Sequence, residues 1–266
     1  MNGNFIEEKF QDRGYIIPKT FKEKGVISGF SRRLGGFSKG KISGFNFGFR
    51  VGDDPNDVLK NYMQLAQDLG FSAEKAVCAK QTHTDNIRIV TPADRGKGIF
   101  EIDSDIQDTD GLITDQRGMA LIIFTADCVP LLFFDPVRKV VAASHAGWRG
   151  TAKNIGGKTI RKMAERFGCE PKNIIAAIGP SIGKCCFEVD RDTAEQFGEE
   201  YRIPKENGKF HVDLWAVNRD QMTNQGVMPE NIYISEECTI CNSDKYYSYR
   251  THREHTGRQV AVIALP

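Results

Sequence analysis

Three side chains of this 266-residue sequence are of types that hold a transition metal between them. His83 lies in "KQTHTDN", Cys128 in "TADCVP" and His145 in "SHAGWRG", each at the end or the break of an apolar segment. Loops in such places display reactive groups from a rigid scaffold. Zinc accepts imidazole and thiolate, and a catalytic zinc keeps three protein ligands with one position open to water or substrate. Two neutral histidines and one thiolate leave the site positively charged, which brings bound water towards a pKa of about 7. Taken singly, each residue has an ordinary explanation, since buried cysteines pack as small hydrophobes and most buried histidines simply hydrogen-bond. The three are far apart in the chain, so their spacing decides little.

A rival set lies in "CTICNSDKYYSYRTHREH", with Cys238 and Cys241 at C-x-x-C spacing followed by His252 and His255. Its histidines are separated by two residues, where finger patterns have three to five, so a structural zinc there is not favoured. Cys185 and Cys186 are neighbours in the chain, which makes joint chelation of one ion difficult; packing is the simpler reading.

Elements must carry the three donors to one edge of a sheet. "MALIIFTADCVPLLFFD" is an apolar run broken by Thr125, Asp127, Cys128 and Pro130, a local inconsistency of the kind found at functional sites. "KVVAAS" is a strand that feeds "SHAGWRG", and "AVCAKQTHTDNIRIV" reads as strand around His83. Strand alternation then turns Gln81 to the same face as His83. "DDPNDVLKNYMQLAQDLGF" predicts a helix capped by Asp53 or Asp54, opened by Pro55, with Leu59, Met63, Ala66 and Leu69 inward and Gly70 as its stop. "TAKNIGGKTIRKMAERFG" predicts a second, with Ile160, Met163 and Phe167 on one face and Gly168 as cap. "DRDTAEQFGEEY" and "LWAVNRDQMTNQG" predict two more helices. Glycine-punctuated strands are expected around "SRRLGGFSKGKISGFNFGF", and closing strands over "NIYISEECT", "YYSYRT" and "RQVAVIAL". The alternation of strands and helices is irregular, which favours a mixed α/β sandwich over a doubly wound parallel fold. Neither G-x-G-x-x-G nor G-x-x-x-x-G-K-[ST] occurs.

A net charge of +1 gives no electrostatic footprint for nucleic acid or an anionic membrane, so small neutral or modestly anionic ligands fit better. Seven cysteines without a secreted-scaffold spacing, and an N-terminus without an apolar stretch, lead to the expectation of a cytoplasmic protein with reduced thiols. No apolar run approaches the roughly 20 residues of a membrane span.

The motifs "KQTH", "DGLIT", "TADCVP" and "HAGWRGT" together resemble the laccase-domain family, also called the multicopper polyphenol oxidase family. "SRRLGGFSKG", "AAIGPSIGKCCFEV", "CTIC", "YYSYR" and "TGRQVAV" extend the resemblance over nearly the whole chain. Thr84 stands where the family often has glycine, and Tyr62 where it often has arginine. The resemblance implies a single α/β catalytic domain over residues 1–266 and a zinc enzyme of purine nucleoside metabolism. It implies phosphorolysis of adenosine, inosine and methylthioadenosine, and deamination of adenosine, with a purine nucleoside and phosphate as partners.

By matching motif positions, His83, Cys128 and His145 become the metal ligands, and Arg149 and Arg33 become candidates for phosphate or ribose. Arg149 lies at a glycine-rich turn opening a helix, where N–H groups and an arginine fork suit an oxyanion. Asp127 and Asp110 are candidates for a proton shuttle in deamination, with Asp127 equally suited to orienting a ligand. Gln81 is a candidate partner of base or phosphate, Trp148 of a stacked purine or of the neighbouring helix. Asn46 and Ser181 are further pocket candidates.

Three alternatives stand beside this reading. One is copper oxidation of phenols, since a His₂Cys set also suits copper, although five histidines without an H-x-H pair do not furnish a histidine-rich multinuclear centre. The second is hydrolysis of peptidoglycan precursors. The third is a metal-stabilised binding module without catalysis.

Overall fold

The computed structural model describes residues 3–266, which build two six-stranded sheets and a three-stranded one. The first sheet runs, in spatial order, Phe5–Phe10, Arg13–Pro18, Ile27–Ser31, Gln259–Ala264, Ala120–Thr125 and Val77–Cys78. The second runs Ile232–Ile234, Ile175–Ile178, Val129–Asp135, Val140–Ala146, Gly111–Thr114 and Ile87–Ile89. Parallel and antiparallel pairings are mixed in both.

Side-chain alternation explains why these strands read as continuous apolar runs. Leu121 and Ile123 of the first sheet and Leu132 and Phe134 of the second share one buried cluster between the sheets. Their neighbours Ala120 and Ile122 turn the other way, with Val58, Tyr62 and Leu65 of the helix Pro55–Leu69. Val129, Leu131 and Phe133 likewise meet the helices Ile155–Phe167 and Leu214–Asn224. The layers are therefore helix, sheet, sheet, helix, and strands buried on both faces need no polar residues. This is the mixed α/β sandwich expected from the sequence.

The helix Pro55–Leu69 has its Asp54 side chain accepting from Asn56 N at 2.8 Å, Pro55 in the first turn and Gly70 at φ 78° as the left-handed stop. Its inner face is rotated from the expected one: Val58, Tyr62, Leu65 and Ala66 are buried, whereas Met63 is 44% exposed. The second predicted helix divides at Asn154 into Trp148–Ala152 and Ile155–Phe167, because Asn154 takes φ 61° and caps the longer piece through Gly157 N.

Elsewhere the structure corrects the strand and helix assignments. Residues 32–54 form a loop rather than strands, organised by Asn46, whose amide accepts from Gly48 N and Arg258 N and donates to Asp53. "YYSYRT" ends in the short helix Tyr249–His252, capped by Ser248. "DRDTAEQFGEEY" gives only Arg191–Ala194 and the 3-10 turn Glu199–Tyr201. The stretch around His83 is a loop that leaves Val77–Cys78 of the first sheet and enters Ile87–Ile89 of the second. Among the described residues, no helix is long and apolar enough to cross a membrane.

Candidate active site

Two crossovers between the sheets and the end of one strand bring the three distant donors together. Cys128 lies in the crossover from Ala120–Thr125 to Val129–Asp135, where Asp127 adopts φ 84°. His145 ends the neighbouring strand Val140–Ala146, and His83 sits on its own loop at φ 65°. One ligand atom from each lies within 4.8 Å of the others. Cys128 Sγ stands 3.8 Å from His83 Nε2, and the two imidazole rings are 4.9 Å apart at 74°. Gly147 makes this approach possible. A Cβ there would lie 2.8 Å from His83 Cδ2 and 3.1 Å from Cys128 Sγ. The small residue in "SHAGWRG" is thus a steric requirement of the donor set.

Asp110 organises two of the three donors. Its carboxylate accepts from His145 Nδ1 at 2.7 Å and from the main-chain N–H groups of Thr82, His83 and Thr84. Burial alone would raise the Asp110 carboxyl, but His145 and Thr84 outweigh it and hold it down at about 2. A carboxylate accepts and does not donate, so Nδ1 of His145 carries a proton and Nε2 remains as the donor atom. Thr84 adds a hydroxyl bond to Asp110 at 2.8 Å, which a glycine in its place would lack.

Cys128 and His145 polarise each other. Burial opposes a thiolate at Cys128, yet the charge of His145 and hydrogen bonds from both histidines bring it down to about 6. Burial likewise disfavours imidazolium at His145, but Cys128 and Asp110 lift it to about 9. A thiolate is the ligand form that a thiophilic ion requires, and binding such an ion displaces protons. One sulfur, two nitrogens and the cleared space at Gly147 fit zinc.

A cavity of about 710 Å³ opens beside these donors. Phe47, Phe49, Phe124, Trp148, Phe187 and Tyr249 give it aromatic walls. Tyr62, the departure from the family pattern, lies behind that wall, stacked on Phe49 at 5.7 Å and donating to Phe47 O. Lys80, Arg250 and Arg258 supply cationic lining that the sequence analysis did not single out. Arg258 is half-buried; burial draws its pKa down, and the charges of Cys128 and Asp127 oppose that. "YYSYR" and "TGRQVAV" contain both arginines, so the signal was present only as family pattern.

Several candidates are placed elsewhere or otherwise engaged. Arg149 is exposed, stacked 4.2 Å over the Trp148 ring, and is not part of the cavity lining. Arg33 donates to Ser243 O and lies over the Tyr247 ring, also outside the lining. Gln81 lines the cavity, but not through strand alternation: its amide is paired in both directions with the main chain of Phe124, at 2.9 and 2.8 Å. Asn46 is fully buried as the loop hub, and Ser181 is fully buried between Gly179 O and Trp215 Nε1. Asp127 accepts from Thr239 Oγ1, Ser248 Oγ and Arg250 N, which makes it a clamp on the adjoining loops rather than a free proton carrier.

The rival C-terminal set does not assemble. His252 pairs with Arg33 and Ser248, and His255 with Lys41, while Cys185 and Cys186, expected as packing, meet Cys238 and Cys241.

Residues 27–266 match the family described as multi-copper polyphenol oxidoreductase laccase. The chain belongs to this family. It is 38% identical over 260 residues to the purine nucleoside phosphorylase YlmD of Geobacillus stearothermophilus, covering 94% of each chain. It is 35% identical over 229 residues to the adenosine deaminase RL5 of an unknown prokaryote, covering 83% of this chain and 87% of that one. Among solved structures, the Bacillus licheniformis hypothetical protein YfiH superposes with a TM-score of 0.93 at 32% identity, over 99% of this chain and all of the other. The laccase-domain fold thus accommodates both Thr84 and Tyr62 in this member.

Proposed function

We propose that this laccase-domain protein is a zinc-dependent purine nucleoside phosphorylase that also deaminates adenosine, and that residues 1–266 act as one catalytic domain in the cytoplasm. The observation that carries the reading is the His83, Cys128 and His145 donor set opening onto an aromatic cavity with cationic lining. Relatives named for the two activities support it. The seven free thiols are in keeping with a reducing compartment.

The chain's residues divide the work by chemistry. Flat apolar walls that include Phe124 and Trp148 suit a purine ring, and an aromatic face gains from stacking. Arg258 and Arg250 bring positive charge to the same space, where phosphate must approach the ribose C1′. During phosphorolysis a phosphate oxygen bonds to C1′ as the glycosidic bond breaks and its electron pair leaves with the base. His83, Cys128 and His145 would hold the zinc, and Asp110 fixes the His145 tautomer. Bound there, zinc supplies Lewis acidity with an open position, the chemistry that activation of water for deamination requires.

Incubation of metal-replete protein with inosine and phosphate should release hypoxanthine and ribose 1-phosphate, and adenosine alone should yield inosine. Cys128→Ala should abolish both while the far-UV spectrum stays that of the parent. Turnover unchanged in that variant, or no product from either nucleoside, would remove the reading. The same His₂Cys donors take copper, so metal analysis after purification without added copper is the second arm. Stoichiometric copper with oxygen-dependent oxidation of phenols would replace the nucleoside assignment, as would preferential hydrolysis of muropeptide precursors in a competition assay.

A further inference from the structure

A second group of metal-donor side chains lies outside the cavity. Cys185 and Cys186 follow the glycine loop after Ile175–Ile178, and Cys238 and Cys241 follow Ile232–Ile234. Those strands are parallel neighbours, so their loops leave the same end of the sheet, where Ser181 and Cys238 form a bridge. All four Sγ atoms lie within 4.8 Å of one another. Cys241 Sγ is 3.6 Å from that of Cys185 and 3.5 Å from that of Cys186. These are not disulfide separations, which are near 2.0 Å. Four sulfurs about 2.3 Å from a central zinc stand about 3.8 Å apart at tetrahedral geometry. The cluster is near that spacing.

The turn around Cys238 is shaped for a sulfur with negative charge. Gly183 N donates to Cys238 Sγ at 3.3 Å. A backbone donor on the sulfur suits a metal-bound thiolate, whereas a thiol in an apolar core has no need of it.

We propose that Cys185, Cys186, Cys238 and Cys241 bind a zinc ion as a closed tetrathiolate, a structural site distinct from the cavity donors. Four sulfurs leave no position for water or substrate, so its role is to tie two loops together. The loops matter to the cavity. Thr239, inside the Cys238–Cys241 turn, donates to Asp127 at 2.6 Å, next to Cys128. Ile182 and Phe187, on either side of the Cys185–Cys186 pair, line the cavity wall.

The test is zinc per chain in protein purified under reducing conditions. Two equivalents are expected for the parent and one for Cys241→Ser. The cobalt-loaded parent should lose most of its thiolate-to-metal charge-transfer absorption in that variant. Equal zinc in the parent and Cys241→Ser, stoichiometric iron at these sulfurs, or a disulfide within the cluster by mass spectrometry would overturn the proposal. If Cys241→Ser does not fold, Cys128→Ala carries the test. A fall from two equivalents to one supports the tetrathiolate, and a fall from one to none overturns it. One equivalent in both proteins would leave the tetrathiolate standing and count against the cavity site.

Discussion

At the scale of single residues, the donor set depends on what is missing at Gly147. Its φ of −60° is open to any amino acid, so the restriction is space and not conformation. Alanine would place a methyl group 2.8 Å from an imidazole carbon of His83 and 3.1 Å from the sulfur, with the His83 main chain and the His145 ring both held by Asp110. Because the His83 loop and the His145 strand end are pinned to one carboxylate, they have little freedom to retreat. Gly147→Ala is therefore expected to weaken metal binding by at least about tenfold, the scale seen when support around a metal ligand is disturbed. Competition against a chromogenic chelator measures this, and affinity equal to the parent's would show that the donors can spread without cost.

At the scale of elements, the helix Pro55–Leu69 is fastened to the first sheet by its last turn. Asp68 accepts from Arg13 Nε at 2.7 Å and from the Tyr15 hydroxyl at 2.6 Å, both on the strand Arg13–Pro18. The Asp68 side chain is 4% exposed and that of Arg13 9%, so removing the carboxylate leaves a buried cation without its partner. Asp68→Asn should cost about 3 kcal/mol of unfolding free energy. Burial pushes the Asp68 carboxyl up, but bonds from Arg13, Tyr15 and Gln64 outweigh it and hold it below its ordinary value. The unfolded chain then binds more protons in acid, so stability rises with pH there. This contribution is complete above the unfolded carboxyl value of about 3.9 and is lost as pH falls through the lower folded one. Urea unfolding across an acid series should show a shallower decline for Asp68→Asn than for the parent. Parallel declines would locate the acid sensitivity elsewhere. The helix itself was readable from Asp54, Pro55 and Gly70 because caps are local chemistry. Its inner face departs from the sequence periodicity because Tyr62 and Asn61 turn inward to bond Phe47 O and Asn46 O, partners that periodicity does not contain. The same distinction separates the readable metal donors, carried by residue type and motif, from Arg258 and the four-cysteine cluster, which exist only once distant loops meet.

At the scale of the molecule, the site is a product of two sheets packed face to face. Cys128 sits on the crossover between them, His83 on a second crossover, and His145 on a strand of the second sheet alone. Leu132 is fully buried in the cluster between the sheets, paired with Ala143 on one side and Ala177 on the other. Truncation to alanine leaves a cavity in that layer, at a cost of about 2–5 kcal/mol. For a chain of this size each kcal/mol lowers the melting temperature by roughly 2–4 °C, so a fall of about 4–20 °C is expected. If the sheets melt as one unit, far-UV ellipticity and release of the cavity metal should shift together in Leu132→Ala, because both crossovers lose their anchorage at once. Metal retained well beyond the ellipticity transition would mean that the separate segments bearing His83, Asp110 and Gly147 hold the donors locally. The coordination geometry would then be a property of those segments and not of the sandwich that joins them.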